Sequence, residues 1–252
     1  MFNNFILDKN NNIITYSDNN IICGFTLKPY DFGYNITKEK FRYQINKLED
    51  YYNIKFNNTK YLNQVHSDIV HCITKESFNS STNDGDGLIT DLNDVLLITR
   101  CADCQLILLY DPVNGVIGNI HSGWKGTLKR IVSNGINTMI NKYNSNVDDI
   151  VVYISPSIMK CCFEVGDDVY SSFVSEFMDI NINNYMTSNG NKYFIDTVGI
   201  NKEVLLNMGV NINNIFTSNI CSKCNSDIVH SYRADGINCG RNIAFIYLKK
   251  TN

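Results

Sequence analysis

The apolar residues of this 252-residue chain fall into short strand-like runs, with four stretches of helical spacing set between them. Ile13-Ile14-Thr15-Tyr16 and residues 21–26 read as strands on either side of the turn-like Ser17-Asp18-Asn19-Asn20. Thr37 reads as an N-cap for a helix reaching about Tyr52, with Phe41, Ile45 and Leu48 on one face. Residues 68–73 and 95–99 are further strands. Between them lie a polar, loop-like stretch, 76–84, and the alternating glycines of Asp84-Gly85-Asp86-Gly87. Those glycines predict a tight turn that places Asp84 or Asp86 near a site. Strands are also expected at 149–154, 193–195, 215–217, 228–232 and 243–248. Val169, Phe173, Val174 and Phe177 mark the inward face of one late helix. Ile200, Val204, Leu205 and Met208 mark that of another, capped by Asp196.

The densest pattern is 101–130, which reads as strand, turn, strand, glycine bend and helix. Residues 104–110 form an apolar run short enough for a buried strand, and Asp111-Pro112-Val113-Asn114-Gly115 has turn chemistry. Residues 116–120 form the next strand. After His121-Ser122-Gly123-Trp124-Lys125-Gly126, one helix face continues through Leu128, Ile131, Val132, Ile136, Met139 and Ile140. If the two strands are antiparallel neighbours, Cys104 at the start of one meets His121 at the end of the other. The glycine bend exposes backbone N–H groups suited to an anion. His66, after the polar Asn63-Gln64 pair, is a third metal-capable residue.

Composition narrows the classes. The net charge is −3 with no basic stripe, so no nucleic-acid partner is expected. No stretch approaches the ~20 apolar residues of a membrane span. Nine cysteines, an odd number, stand in a long chain whose N-terminus lacks a signal-peptide pattern. A cytoplasmic protein with free thiols is expected. No linker or repeat divides it, so residues 1–252 are expected to form a single domain.

Single residues are weaker witnesses. A cysteine on an apolar strand is most often a core residue, and His71 and His230 lie on expected strands and read as structural. Trp124 reads as packing against its helix. The pairs Cys101/Cys104 and Cys221/Cys224 have Cys-x-x-Cys spacing but are too far apart for a zinc ribbon, whose pairs are roughly 15–20 residues apart. The first pair leads into a strand, which argues against a thioredoxin-like motif.

Six segments taken in order add a resemblance. They are Asn63-Gln64-Val65-His66, Asp86-Gly87-Leu88-Ile89-Thr90, Ala102-Asp103-Cys104, 121–127, Cys161-Cys162-Phe163-Glu164-Val165-Gly166 and Ser231-Tyr232-Arg233-Ala234-Asp235-Gly236. Together they resemble the laccase-domain family, long described as multicopper polyphenol oxidases and now as zinc-dependent purine nucleoside phosphorylases with adenosine deaminase activity. The resemblance runs from about Cys23 to Leu248. It implies an α+β fold with mixed β-sheets packed between α-helices in α/β/β/α layers. It also implies a zinc site, rather than a copper one, on His66, Cys104 and His121. Lys125 stands where arginine is common, and Ala234 replaces a frequent arginine.

The chemistry implied is small-molecule work on purine nucleosides and phosphate. Adenosine, inosine, guanosine or methylthioadenosine would be cleaved to free base and sugar 1-phosphate, and adenosine deaminated at C6. His66, Cys104 and His121 would be the catalytic set. Lys125, Arg233 and the N–H groups near Gly126 are candidates for phosphate. Asn63 and Gln64 are candidates for substrate contact, and Asp86 and Asp103 for acid/base work. On a regular strand Asp103 would face away from Cys104. The resemblance leaves a homodimer open. The alternatives are a cysteine or zinc hydrolase editing peptidoglycan precursors, a copper polyphenol oxidase, for which four histidines are few, and a non-enzymatic metal-binding module.

Overall fold

The computed structural model describes residues 5–78, 84–190 and 192–250, so 79–83 of the polar stretch 76–84 lie outside the described residues. In chain order the strands are β1 (Ile6–Asp8), β2 (Ile13–Ser17), β3 (Ile21–Thr26), β4 (Asn58–Lys60), β5 (Val70–Cys72), β6 (Gly87–Thr90), β7 (Val95–Cys101), β8 (Gln105–Asp111), β9 (Val116–Ser122), β10 (Val151–Ile154), β11 (Glu164–Val165), β12 (Met186–Asn189), β13 (Lys192–Ile195), β14 (Ile215–Thr217) and β15 (Asn242–Leu248). The helices are α1 (Lys38–Tyr52), α2 (Trp124–Leu128), α3 (Ile131–Tyr143), α4 (Asp167–Glu176), α5 (Thr197–Asn207) and α6 (Tyr232–Asp235).

Two six-stranded sheets carry the architecture, ordered β1-β2-β3-β15-β7-β4 and β14-β10-β8-β9-β6-β5, and β11-β13-β12 form a small third sheet. Parallel pairs occur at β4–β7, β5–β6 and β10–β14 within otherwise antiparallel sheets. The layers follow from strand parity. Leu106, Leu108 and Tyr110 of β8 join Ala244, Ile246 and Leu248 of β15 in the core between the large sheets. Ile107 and Leu109 point the other way, onto Ile131, Ile136 and Met139 of α3 and Ile200 and Leu205 of α5. Ile243, Phe245 and Tyr247 cover Ile45 and Leu48 of α1 on the far side. The order is α/β/β/α, the mixed α+β fold expected. All seven residues of β8 and of β9 are buried because both faces of that sheet are covered.

Local signals set the element ends. The Thr37 hydroxyl accepts from the Lys40 N–H at 3.2 Å, and the Asp196 carboxylate from the Gly199 N–H at 2.9 Å. Asp111 accepts from the N–H groups of Val113 and Asn114 at 2.8 and 3.0 Å, closing the β8–β9 turn.

Three expectations differ. The helix after the glycine bend is broken at Arg130, where φ is 55°; the Arg130 guanidinium is held on Glu176 and Asp179. Residues 228–232 are not a strand. The Asn242 side chain pairs with both backbone groups of His230, and the Ser231 hydroxyl caps α6. Val174 is 39% exposed, while Phe173 and Phe177 carry the α4 contact.

Candidate metal centre

The β8–β9 hairpin supplies two of the three candidate ligands. Its register pairs Leu106 with His121, and Cys104 lies two residues before Leu106. Both side chains therefore emerge at one end of the inter-sheet face. His66 arrives from the segment between β4 and β5. The candidate ligand atoms of His66, Cys104 and His121 all lie within 4.8 Å of one another. His66 Nε2 is 3.9 Å from Cys104 Sγ, and the two imidazoles meet edge to face with centroids 4.8 Å apart. These three residues can hold a metal ion.

Asp86 organises them from behind. Its buried carboxylate accepts from the backbone N–H groups of Val65 (3.3 Å), His66 (3.1 Å) and Ser67 (2.6 Å), and from the Ser67 hydroxyl (2.7 Å). It also takes His121 Nδ1 at 2.8 Å, which leaves Nε2 as the free nitrogen of that ring. His66 sits at φ 59°, a left-handed conformation that a non-glycine residue keeps only where its surroundings enforce it; here Asp86 does so. Of the two acids in the glycine turn, Asp86 reaches the site. Asp84 instead accepts from Asn63 at 2.7 Å and, through its carbonyl, contacts His71 Nε2 at 2.9 Å.

The site polarises its own members. Burial alone would push the Cys104 thiol up, but His121 and His66 outweigh it and bring the thiol down to about 6. Burial opposes charge on His121 too, yet Cys104 and Asp86 raise it to about 9. The metal-free site thus holds a thiolate–imidazolium pair between those values. A metal ligand must be unprotonated. Zinc capture near pH 7.5 is therefore expected to release the His121 proton, and affinity to rise with pH until about 9 and level off above it. Competition against a chromophoric chelator across pH 6–10 measures this; an affinity flat between 7 and 9 would contradict it.

Glycine is required at one adjoining position. A Cβ on Gly123 would lie 2.7 Å from His66 Cδ2 and 3.1 Å from Cys104 Sγ. Gly123→Ala is expected to weaken metal affinity at least tenfold while the thermal midpoint of the metal-free protein moves little. Equal affinity in wild type and variant would refute that crowding.

The three ligands open onto a cavity of about 440 Å3, also lined by Tyr34, Trp124, Phe163 and the arginines 100, 233 and 241. Tyr34 lies under two guanidinium groups, Arg100 at 5.0 Å and Arg241 at 5.3 Å. Arg233 donates to the carbonyls of Cys162 and Glu164 at 3.2 and 3.1 Å. Arg100 and Arg241 were not among the residues singled out from sequence. The available signal was a cation ending an apolar strand, at Arg100, and another just before one, at Arg241.

The other candidates are placed differently. Gln64 is buried and clasps the Arg100 backbone with both amide atoms, at 2.8 and 2.9 Å. Neither Gln64 nor Asn63 lines the cavity, and both brace the His66 segment. Lys125 is exposed, with its ammonium 5.5 Å from the Trp124 ring centroid, and does not line the cavity. Asp103 does line the cavity, from the turn between β7 and β8, at φ 88° rather than on a regular strand. Its carboxylate accepts from Ser222, Ser231 and the Arg233 N–H at 2.6–2.7 Å, so it anchors the Arg233 segment. His230 contacts the Tyr30 carbonyl at 2.8 Å through Nε2.

A carboxylate-backed His-Cys-His set able to hold a metal ion thus opens onto an arginine-lined cavity of small-molecule size. Residues 32–249 match the family described as multi-copper polyphenol oxidoreductase laccase, and the chain belongs to that family. A Clostridium acetobutylicum protein named purine nucleoside phosphorylase is 34% identical over 94% of this chain and 95% of its own length. A protein named adenosine deaminase RL5, from an unknown prokaryotic organism, is 36% identical over 65% of this chain and 62% of its own. The crystal structure of the Bacillus licheniformis hypothetical protein YfiH superposes with a TM-score of 0.87 at 25% identity, covering 98% of this chain and 100% of that one. Among the described residues, no helix is long and apolar enough to cross a membrane.

Proposed function

We propose that this chain is a zinc-dependent purine nucleoside phosphorylase that also deaminates adenosine, acting as one domain over residues 1–252 in the reducing cytoplasm. The observation that carries the reading is the meeting of His66, Cys104 and His121 at a cavity whose walls are aromatic and cationic. Names of relatives support both activities.

Two imidazoles and a thiolate suit Zn2+. A tetrahedral ion with metal–nitrogen distances of about 2.0 Å and a metal–sulfur distance of about 2.3 Å needs N···S of about 3.5 Å, close to the spacing present. When bound, zinc supplies Lewis acidity at the cavity floor. A multicopper cluster is poorly served, since two of the chain's four histidines, His71 and His230, contact backbone carbonyls.

The chain's own groups divide the remaining work. Arg233, Arg100 and Arg241 offer positive charge to phosphate. Tyr34, Trp124 and Phe163 offer flat apolar surface to a purine and exclude water. Asp86 fixes the His121 ring and holds His66 in place. In phosphorolysis a phosphate oxygen bonds to C1′ as the bond to the base breaks, and the departing base takes a proton. Positioning and charge stabilisation are what this cavity provides.

The test is chromatographic product analysis of zinc-loaded protein with adenosine, with and without phosphate. Adenine that forms only with phosphate, and inosine without it, are expected; no product in either tube overturns the reading. The Cys104–His121 pair also favours a second reading, a cysteine hydrolase acting on peptidoglycan precursors, with Cys104 as nucleophile. Activity on such a substrate that survives chelation but not thiol alkylation would support it.

A further inference from the structure

The β10 and β14 strands are parallel neighbours, so the segments that follow them leave the sheet at the same end. The first carries Cys161 and Cys162, the second Cys221 and Cys224. The two backbones are already joined. Ser157 N–H donates to the Ile220 carbonyl at 3.2 Å, and Ser222 N–H donates to the Ser157 carbonyl at 2.9 Å. All four sulfur atoms lie within 4.8 Å of one another. Cys161 Sγ is 3.7 Å from Cys162 Sγ and 3.8 Å from Cys224 Sγ, and Cys162 Sγ is 3.4 Å from Cys224 Sγ.

These spacings discriminate between chemistries. A disulfide needs about 2.05 Å, and all four thiols are free. Four sulfurs at about 2.3 Å from a tetrahedral ion are spaced by about 3.8 Å. Cys221 and Cys224 therefore do not join Cys101, which is buried in β7, but a cysteine pair some 60 residues earlier.

We infer that Cys161, Cys162, Cys221 and Cys224 form a second, structural zinc site, distinct from the His66–Cys104–His121 centre and independent of the function proposed above. An all-thiolate set selects a thiophilic ion over Mg2+ or Ca2+, and four protein ligands leave no position for water or substrate. The site clamps one wall of the cavity. Ile158 and Phe163 flank the first cysteine pair and line that cavity. Arg233, which also lines it, donates to the Cys162 carbonyl. Ser222, inside the second pair, donates to Asp103 at 2.6 Å, next to Cys104.

The experiment is zinc quantification and zinc-edge X-ray absorption on the full chain purified under reducing conditions. Wild type, C221S/C224S and H66A/H121A are compared. Two zinc ions per wild-type chain are expected, falling to one in each double variant. The ion that remains in H66A/H121A is expected to show four sulfur neighbours at about 2.3 Å. Should C221S/C224S fail to fold, wild type and H66A/H121A still decide the matter. One zinc per wild-type chain with a single sulfur neighbour, or none in folded H66A/H121A, overturns the inference. So does an intact mass showing these four cysteines oxidised to disulfides in the native protein.

Discussion

Cys104→Ala is expected to lower turnover of adenosine by about 1000-fold, the equivalent of ~4 kcal/mol of transition-state stabilisation. The substitution removes the only anionic member of the His66–Cys104–His121 set. Two imidazoles alone leave a bound ion with more solvent and weaker affinity. The fold should persist, because Cys104 lies at the rim of the inter-sheet core and not in its centre. A second consequence is spectroscopic. The Cys104 thiolate is the leading influence holding His121 up at about 9 against burial, so His121 in the metal-free variant should titrate at a lower pH. Steady-state kinetics with zinc quantification, and an NMR titration of the His121 ring, read the two effects. A variant with full zinc at that centre and wild-type turnover would sink the mechanism; an unchanged His121 titration would break the proposed pairing.

Asp86→Asn is expected to act on stability and metal together. The carboxylate is buried and takes five hydrogen bonds, all from donors. An amide has one oxygen, so its NH2 must face N–H groups already pointing at it. The loss of one partner from such a buried charged network costs about 3–5 kcal/mol, and loss of the carboxylate behind a histidine ligand costs about 10–100-fold in metal affinity. Denaturant unfolding of the metal-free protein and chelator competition measure the two. A destabilisation below about 1 kcal/mol would show that Asp86 is not the organiser described here. The sign of the pH effect follows from the direction of the shift. Burial opposes ionisation, but His121 and Ser67 outweigh it and depress Asp86 to about 2. Its contribution is therefore present above the ordinary aspartate value and is lost as pH falls through that value towards 2. Asp86→Asn should lack this acid-side loss.

What sequence could foretell depended on how far apart the cooperating residues lie. The β8–β9 hairpin was legible because a fully buried strand pair reads as two apolar runs and the intervening turn has its own chemistry. Its register then brought Cys104 to His121. The spacing of Leu128 to Ile140 announced a helix but not its break, since Arg130 is held by acids about 46–49 residues later. Arg100 and Arg241 share the cavity only because β7 pairs with β15, setting Cys101 opposite Asn242. No local pattern encodes that pairing. Gln64 looked like a substrate contact because it is polar and beside His66, and only the tertiary structure shows Arg100 consuming both its amide atoms. The two cysteine pairs after β10 and β14 were visible separately, and a parallel strand pairing was needed to join them.

The position of β8 and β9 between two cores has a kinetic consequence. Their amides can exchange with solvent only if the inter-sheet layer and the helix layer both open, which approaches global unfolding. His121 rides on that slowest element, and Cys104 sits at its edge. His66 belongs to a half-exposed segment outside both large sheets, fastened by the Asp86 carboxylate and braced by Gln64 and Asn63. Metal exchange should therefore be one-sided: His66 swings away first and closes last, and the lifetime of a bound ion is set by the opening rate of that segment rather than by the unfolding rate of the protein.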